Sequence, residues 1–197
     1  MADEKRPYRM RRRAELEQQT RLRITESAVE LHGTVGPART SITAIADRAG
    51  VRRSTVYRHF PDEAAIFAAC SAHWRMANPP PDLARWAEIG DPDQRLEYGL
   101  QELYSYYRTT EGMLGNLLRD AATMPIVDVL IDRFRGYLEA ARDTLMAGRR
   151  ARGDKRRRLR AATGHALALT TWCSLAHEQG LDDDEAAQLM CRLVAAG

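Results

Sequence analysis

Apolar residues recur every three or four positions along most of this 197-residue chain. This is the spacing of helices with one buried face, and no segment alternates convincingly as a half-buried strand would. In the first helix, over residues 14–31, the inward positions are Leu16, Ile24, Ala28 and Leu31. Later runs predict helices over 93–109, 113–122, 126–147, 157–179 and 182–195. The pattern therefore predicts an all-α fold.

Two breaks divide the pattern. Gly36-Pro37 ends the first helix, and the Asn78-Pro79-Pro80-Pro81 segment cannot lie inside a helix, because proline lacks the backbone donor and clashes with the preceding turn. The chain is accordingly divided into a disordered basic arm (1–13), a helix-turn-helix domain (14–60), a connecting helix (61–78) and a second helical domain (79–197).

The segment 41–60 predicts two short helices joined by a tight turn. Ser41 is a candidate N-cap, Ile42, Ile45 and Ala46 share one face, and Ala49-Gly50-Val51 supplies the turn. The second helix, over 52–59, buries Val56 and the following Phe60. This leaves a polar set for outside contacts: Arg52, Arg53, Ser54, Thr55, Tyr57, Arg58 and His59. Such a motif can place its second helix in the DNA major groove, although two ordinary helices with a solvated charged face give the same pattern.

The distribution of charge favours DNA. The net charge is +3, but residues 1–60 hold 13 Lys and Arg against 7 Asp and Glu, whereas the remainder is net acidic. A basic region around a helix-turn-helix is typical of phosphate binding. The arm 1–13 enters a minor groove or is a solvated tail, and the basic run 148–160 is better explained as a solvated face than as a second DNA contact.

Other function classes find little support. The three cysteines, Cys70, Cys173 and Cys191, lack the spacing of a zinc site or disulfide scaffold and fit buried residues in a reducing cytosol. We find no glycine-rich phosphate loop, no nucleophile elbow and no metal-ligand spacing, so we expect no enzyme activity, metal or cofactor. A charged N-terminus without an apolar stretch indicates no secretory signal, and no apolar run is long enough to span a bilayer.

The motif resembles the DNA-binding domain of the tetracycline-repressor (TetR) family of bacterial transcription regulators. The matching residues are Thr40-Ser41, Ile45-Ala46, Ala49-Gly50-Val51 and the run from Thr55 to Phe60. The resemblance covers about residues 20–70. Beyond that region the chain agrees with the family in length, helical content and two apolar C-terminal helices.

The resemblance implies roles for individual residues. Thr55, Tyr57 and His59 are expected at the DNA backbone, and Arg52, Arg53 and Ser54 at bases or phosphates, with Thr43 assisting; Arg58 completes the expected DNA-binding set. Two positions depart from the family. Arg52 stands where a capping residue is usual, and Glu63 stands where a lysine often grips a phosphate.

The resemblance also implies a cytoplasmic homodimer that binds a near-palindromic operator and is released by a small-molecule ligand. The domain 79–197 is then the ligand-binding and dimerisation domain, and its last two helices form the dimer, although an intramolecular core explains them too. Arg119 either balances an acidic ligand or reaches solvent. Ligand-contacting side chains are expected among Tyr104, Tyr107, Met113, Arg119, Met124, Tyr137, His165 and Trp172.

Two other classes stay open: a helical small-molecule enzyme or carrier, and an interaction module whose basic front binds an acidic protein. Competition by unrelated duplex DNA distinguishes a DNA-binding protein from a protein-binding module.

Overall fold

The structure is a computed structural model that describes residues 5–196. Ten α-helices follow one another along this part of the chain, and no strand occurs within it. They are α1 (Lys5–Thr34), α2 (Ile42–Ala49), α3 (Arg53–His59), α4 (Glu63–Ala77), α5 (Leu83–Ala87), α6 (Pro92–Ala121), α7 (Pro125–Met146), α8 (Gly153–Ala166), α9 (Leu169–Cys173) and α10 (Asp183–Ala196). The all-α prediction is confirmed.

The chain folds into two compact units. The first comprises residues 1–79 and 112–128, and the second comprises residues 80–111 and 129–197. The sequence-based division assigned 112–128 to the C-terminal domain, whereas its contacts group it with the helix-turn-helix. The helix α6 contributes its first two thirds to the second unit and its last third to the first.

The first unit packs α1 against α2 and α4. Its core includes the fully buried Ile24, Ala28, Val56 and Phe60, as the helical spacing predicted. Leu16 was expected in this core and is 56% exposed, so that prediction was wrong. The core contacts of α1 concentrate in its second half, and Leu16 lies toward the exposed first half.

Helix α1 begins earlier than expected. Residues 5–13, predicted as a disordered arm, continue α1, and residues 1–4 lie outside the described part of the chain. The segment is rich in arginine, a good helix former, and Arg11 pairs with Glu15 one turn later at 3.2 Å. The predicted arm is therefore wrong for 5–13.

The second unit departs from the sequence prediction at two helices. The predicted helices 93–109 and 113–122 form the single helix α6. The predicted helix 157–179 is instead divided into α8, α9 and a π-helical turn at Ser174–Glu178. Helix α5, after the proline segment, was not predicted.

Buried tyrosines of α6 stabilise the break after α8. The hydroxyl of Tyr104 donates to the carbonyl of Ala166 at 2.8 Å, and that of Tyr107 donates to the carbonyl of Leu167 at 2.6 Å. Carbonyls at a helix end lack intrahelical donors, and these hydroxyls supply them. Helix α8 also packs against α10 within the unit. In the described residues, no helix is both long enough and apolar enough to cross a membrane.

Candidate nucleic-acid interface and ligand region

The turn between α2 and α3 fixes the presentation of α3. The side chain of Ser41 caps α2 by accepting the N–H of Ala44 at 3.1 Å, as predicted. Gly50 ends α2 in the left-handed conformation (φ 63°), which glycine adopts without a steric cost. The N–H of Val51 then donates to the carbonyl of Ala46 at 3.0 Å. These contacts hold α3 at a fixed angle to α2.

Helix α3 presents most of the predicted DNA-contacting side chains to solvent. Val56 and Phe60 are fully buried, whereas Arg52, Arg53, Ser54, Tyr57 and Arg58 are exposed and Thr55 is half-buried. Thr43 is exposed on α2. A helix anchored by one face with hydroxyls and guanidinium groups on the other has the composition that binds phosphates and guanine edges.

Arg53 and Tyr57 form a pair on this exposed face. The guanidinium of Arg53 lies 5.4 Å from the centre of the Tyr57 ring, and its Nη2 donates to the Tyr57 hydroxyl at 3.0 Å. The residues lie one helical turn apart. Each side chain therefore restricts the conformations of the other before any DNA is bound.

His59 differs from the other predicted contacts because it is only 9% exposed. Its carbonyl accepts a hydrogen bond from Arg21 of α1, and its Nε2 has no hydrogen-bond partner within the described residues. Burial, followed by the nearby positive charge of Arg58, lowers the pKa of its imidazole. In this structure His59 belongs to the packing of α3 on α1 more than to the exposed row.

The two departures from the family pattern are visible in the structure. Arg52 occupies the N-cap of α3, and its side chain makes no capping hydrogen bond. Glu63 lies in the exposed first turn of α4, where Asp62 caps the helix by accepting the N–H of Ala65 at 2.7 Å. An acidic first turn suits the helix dipole, so Glu63 stabilises α4 but does not attract a phosphate.

Side chains at the end of α6 form hydrogen bonds to the backbone at the end of α1 and in the connection between α1 and α2. The side-chain amide of Asn116 donates to the carbonyls of His32 and Gly33, both at 2.9 Å. Arg119 donates to the carbonyl of Val35 at 2.9 Å, and Asp120 accepts the N–H of Ala38 at 3.0 Å. We call these three side chains, Asn116, Arg119 and Asp120, the α6 clasp.

Contacts within the α6 clasp order its side chains. Arg119 donates to Asn116 at 2.7 Å and to Asp120 at 2.8 Å. Burial alone would raise the pKa of the Asp120 carboxyl, but the hydrogen bonds from Arg119 and Ala38 outweigh it and lower the pKa. Arg119 is thus used within the first unit, a role that neither sequence interpretation described.

The second unit contains a cluster of aromatic rings on α6, α7 and α9. Tyr107 lies 5.9 Å from Trp172 and 6.4 Å from both Tyr104 and Phe134, measured between ring centres. Phe134 stacks on Tyr137 at 6.0 Å. Sequence reasoning missed Phe134 and Tyr106, although Phe134 stands one helical turn before Tyr137, on the same face of α7.

The eight predicted ligand residues do not fall in one place. Tyr104, Tyr107, Tyr137 and Trp172 join the aromatic cluster, whereas His165 is exposed on α8. Met113, Arg119 and Met124 belong to the first unit. The polar atoms of the cluster have internal partners: Tyr137 donates to the carbonyl of Pro81, and Trp172 donates to Asp183, both at 2.9 Å. The half-buried faces of Tyr106, Phe134 and Tyr137 are the cluster's accessible part.

The described residues contain no group of three or more His, Cys, Asp or Glu placed to bind a metal ion.

Comparison with solved structures shows the same fold in three bacterial regulators. A TetR-like transcriptional regulator from Rhodococcus sp. RHA1 aligns with a TM-score of 0.67 at 19% identity over 90% of this chain and 94% of its own. The regulator FadR from Bacillus subtilis, solved with stearoyl-CoA, aligns at 0.60 and 16% identity over 89% and 98%. NalD, the secondary repressor of the MexAB-OprM multidrug efflux pump in Pseudomonas aeruginosa, aligns at 0.58 and 21% identity over 93% and 97%.

No curated protein matched the sequence as a relative. The model of the family described as bacterial regulatory proteins, tetR family, matches residues 24–70. These residues include the whole helix-turn-helix and the first half of α4. The helix-turn-helix segment of this chain is therefore similar to the DNA-binding domain of the tetR family of bacterial regulatory proteins.

Proposed function

We propose that the protein is a cytoplasmic, homodimeric transcriptional repressor that leaves its operator when a small-molecule ligand binds. The observation that carries the DNA-binding part is the exposed row of α3, where Arg52, Arg53, Ser54, Tyr57 and Arg58 project from a helix held by buried Val56. This helix lies in the basic part of the sequence. Arginine in the major groove reads guanine, while hydroxyl groups fix the helix on the phosphates.

A dimer explains how so short a helix selects a site. Two copies of α3 related by a two-fold axis contact successive major grooves about 34 Å apart on a near-palindromic operator. We assign the dimer contact to α8 and α10, since Leu193 of α10 is 54% exposed. The first turns of α8 carry the exposed Lys155, Arg156, Arg157 and Arg158. The apolar part of the contact therefore comes mainly from α10.

The ligand site is assigned to the aromatic cluster of the second unit. Its half-buried rings, Tyr106, Phe134 and Tyr137, offer apolar faces of the kind that line small-molecule sites. One related structure, FadR, holds an acyl-CoA. Helix α6 carries Tyr106 in the second unit and the α6 clasp in the first. A ligand that shifts α6 therefore strains the hydrogen bonds between the α6 clasp and the α1–α2 connection. If the ligand binds the shifted arrangement more tightly than the DNA-binding arrangement, it increases the population of the shifted one and the affinity for DNA falls.

DNA binding is tested with the full chain and a labelled duplex from the region upstream of its own gene. Fluorescence anisotropy against a scrambled duplex of equal length, at 50 and 200 mM salt, measures preference and salt dependence together. We expect a preference for the natural duplex and a loss of affinity of about tenfold or more at the higher salt, because protein binding releases counterions from the DNA phosphates. Equal and salt-independent binding of both duplexes refutes the proposal.

The same titration separates the remaining hypotheses. A basic module that binds an acidic protein keeps its partner in the presence of excess unrelated duplex, whereas a DNA-binding regulator is displaced from its labelled duplex.

Analytical ultracentrifugation with Leu193→Glu tests the dimer. A charge placed on an apolar contact favours the monomer, and an unchanged dimer places the interface elsewhere.

A further inference from the structure

The first unit contains a cavity of about 250 Å³ that is lined by none of the exposed residues of α3. Its walls come from α1, the connection between α1 and α2, α2, α4 and the start of α7 with the residue that precedes it. Most lining side chains are apolar: Pro37, Ile42, Ile45, Ala64, Ile66, Phe67, Met124 and Ile126. Three others, His32, Thr40 and Glu63, are polar. We propose that this cavity is a second effector site, which binds a small monocyclic aromatic molecule bearing one hydroxyl group.

The size of the cavity selects the class of ligand. An apolar cavity of about 150 Å³ accommodates benzene, so this volume accommodates one ring with a substituent. Ile42, Ile45, Ile66 and Phe67 are each at most 7% exposed, so the part of a bound ring that faces these side chains loses its contact with water. Ile126 is 37% exposed and Ala64 is exposed, which identifies these residues as the mouth.

The preference for a hydroxyl comes from His32. This side chain is only 7% exposed, and its Nδ1 lies 3.4 Å from the Sγ of Cys70, a weak hydrogen-bonding partner. The other ring nitrogen, Nε2, has no hydrogen-bond partner among the described residues, and His32 lines the cavity, so this nitrogen is available to a ligand. Depending on the tautomer, Nε2 donates or accepts, and a phenolic hydroxyl serves in both cases. Burial lowers the pKa of His32 to about 4, so the ring is neutral at pH 7 and does not select an anion.

The position of the cavity links it to DNA binding. Ile42 and Ile45 belong to α2, whose turn through Gly50 and Val51 fixes α3. The backbone of His32 is held by Asn116 of the α6 clasp at 2.9 Å. A ring in the cavity presses on α2 through Ile42 and Ile45 and favours an arrangement in which α3 is displaced. Its occupation therefore weakens operator binding independently of the aromatic cluster in the second unit.

Phenol and toluene are suitable probes because they have nearly the same shape and differ in one hydroxyl group. Each is titrated into the full-length protein with ¹³C-labelled Ile and Met methyl groups, and chemical shifts are followed by NMR. We expect the methyl groups of Ile42, Ile45, Ile66, Met124 and Ile126 to shift with a common saturation curve. No shift at these methyl groups with either probe overturns the proposal.

Two variants locate the site. Ala64→Phe fills the mouth from the cavity side, and Ala68→Phe places the same ring on an exposed position of α4 that does not line the cavity. We expect Ala64→Phe to weaken binding of both probes by about tenfold or more and Ala68→Phe to leave it unchanged. Equal binding by the two variants overturns the assignment.

A third variant tests the hydroxyl preference. In His32→Phe the affinity of phenol relative to toluene should fall about tenfold, since one hydrogen bond is lost while the ring contacts remain. An unchanged ratio contradicts the role of His32. Operator affinity measured with saturating phenol should fall for the wild type and for Ala68→Phe, but not for Ala64→Phe. Phenol binding without a change in operator affinity contradicts an effector role, while operator binding in the absence of phenol tests the proposed function separately.

Discussion

The hydroxyl of Tyr107, on α6, donates to the carbonyl of Leu167 at 2.6 Å, at the point where the chain leaves α8. Tyr104 makes the equivalent bond to Ala166 one residue earlier. Both tyrosines are fully buried, and burial raises the pKa of each, so they remain protonated donors throughout the physiological range. Two carbonyls that a helix end leaves without donors are thereby satisfied from a neighbouring helix.

We expect Tyr107→Phe to destabilise the protein by about 1–3 kcal/mol, because it leaves the buried carbonyl of Leu167 without a donor while retaining the ring. Urea unfolding followed by circular dichroism measures the change. Tyr98→Phe is the matched control: its hydroxyl donates to Glu102 at 2.8 Å, and this carboxylate is not fully buried. We expect Tyr98→Phe to lose less stability than Tyr107→Phe. Equal losses in the two variants would show that burial of the acceptor does not determine the loss of stability.

Tyr104 and Tyr107 also explain why the spacing of apolar residues predicted the helices of the second unit incorrectly. No glycine or proline directly follows Ala166, where α8 ends, so the periodic pattern predicted a longer helix. The break is stabilised by side chains about 60 positions away. Conversely, Thr109 to Gly112 suggested a break inside α6. Gly112 instead packs closely on α1, where an added Cβ would lie 3.0 Å from the carbonyl oxygen of Gly33. Both errors arise because tertiary contacts override local preference.

The helix-turn-helix was predictable because its determinants are local. The cap at Ser41, the turn at Gly50 and the burial of Val56 all follow from neighbouring residues and were confirmed. The burial of His59 was not predictable, because it depends on α1 packing across the end of α3. Likewise, the α6 clasp joins residues 82 to 84 positions apart and has no sequence signature.

The buried His32 makes stability depend on pH. Its pKa is lowered from 6.5 to about 4, chiefly by burial and against the opposing charge of Asp120. Between these values the unfolded state binds a proton that the folded state does not, so stability falls as the pH is lowered from 6.5 to 4. The loss attributable to this residue is about 3 kcal/mol.

The free energy of unfolding of wild type and His32→Phe, measured between pH 4 and 7.5, checks this dependence. The variant should lose part of the slope between pH 4 and 6.5, whatever its stability at pH 7.5. Parallel curves for the two proteins would mean that His32 is not the group that titrates.

Arg53 and Tyr57 should affect DNA binding differently although they touch each other. If Arg53 reads a base, Arg53→Ala relaxes discrimination at that base pair by about 1–3 kcal/mol. If Tyr57 contacts a phosphate, Tyr57→Phe removes that contact and weakens binding to all sequences similarly. Arg156→Ala, an exposed arginine of α8, is the control for loss of charge alone.

Anisotropy titrations on an operator and its single-base variants distinguish these effects. Because the Arg53 guanidinium donates to the Tyr57 hydroxyl at 3.0 Å, Tyr57→Phe also frees Arg53, and the double variant should lose less than the two single losses combined. Strict additivity would show that the pair does not persist on DNA.

The α6 clasp makes Gly36 the most constrained glycine of the first unit. Gly36 has a φ of 94°, and a Cβ there would overlap the Nη2 of Arg119 and lie 2.6 Å from the Oδ2 of Asp120. Gly50 also has a positive φ, 63°, but a Cβ there meets nothing within 4 Å. Substitution by alanine therefore adds backbone strain at both positions and disrupts the α6 clasp at only one.

We expect Gly50→Ala to cost about 1 kcal/mol, the usual penalty for a left-handed alanine, and Gly36→Ala to cost about 2–4 kcal/mol because hydrogen bonds of the α6 clasp are lost as well. Thermal unfolding compares the two, and amide hydrogen exchange locates the effect. Exchange at Ala38, whose N–H donates to Asp120, should accelerate in Gly36→Ala beyond the change in global stability, but not in Gly50→Ala. If Ala38 exchanges alike in both variants, its N–H is protected by the fold of the connection itself and the α6 clasp does not hold it.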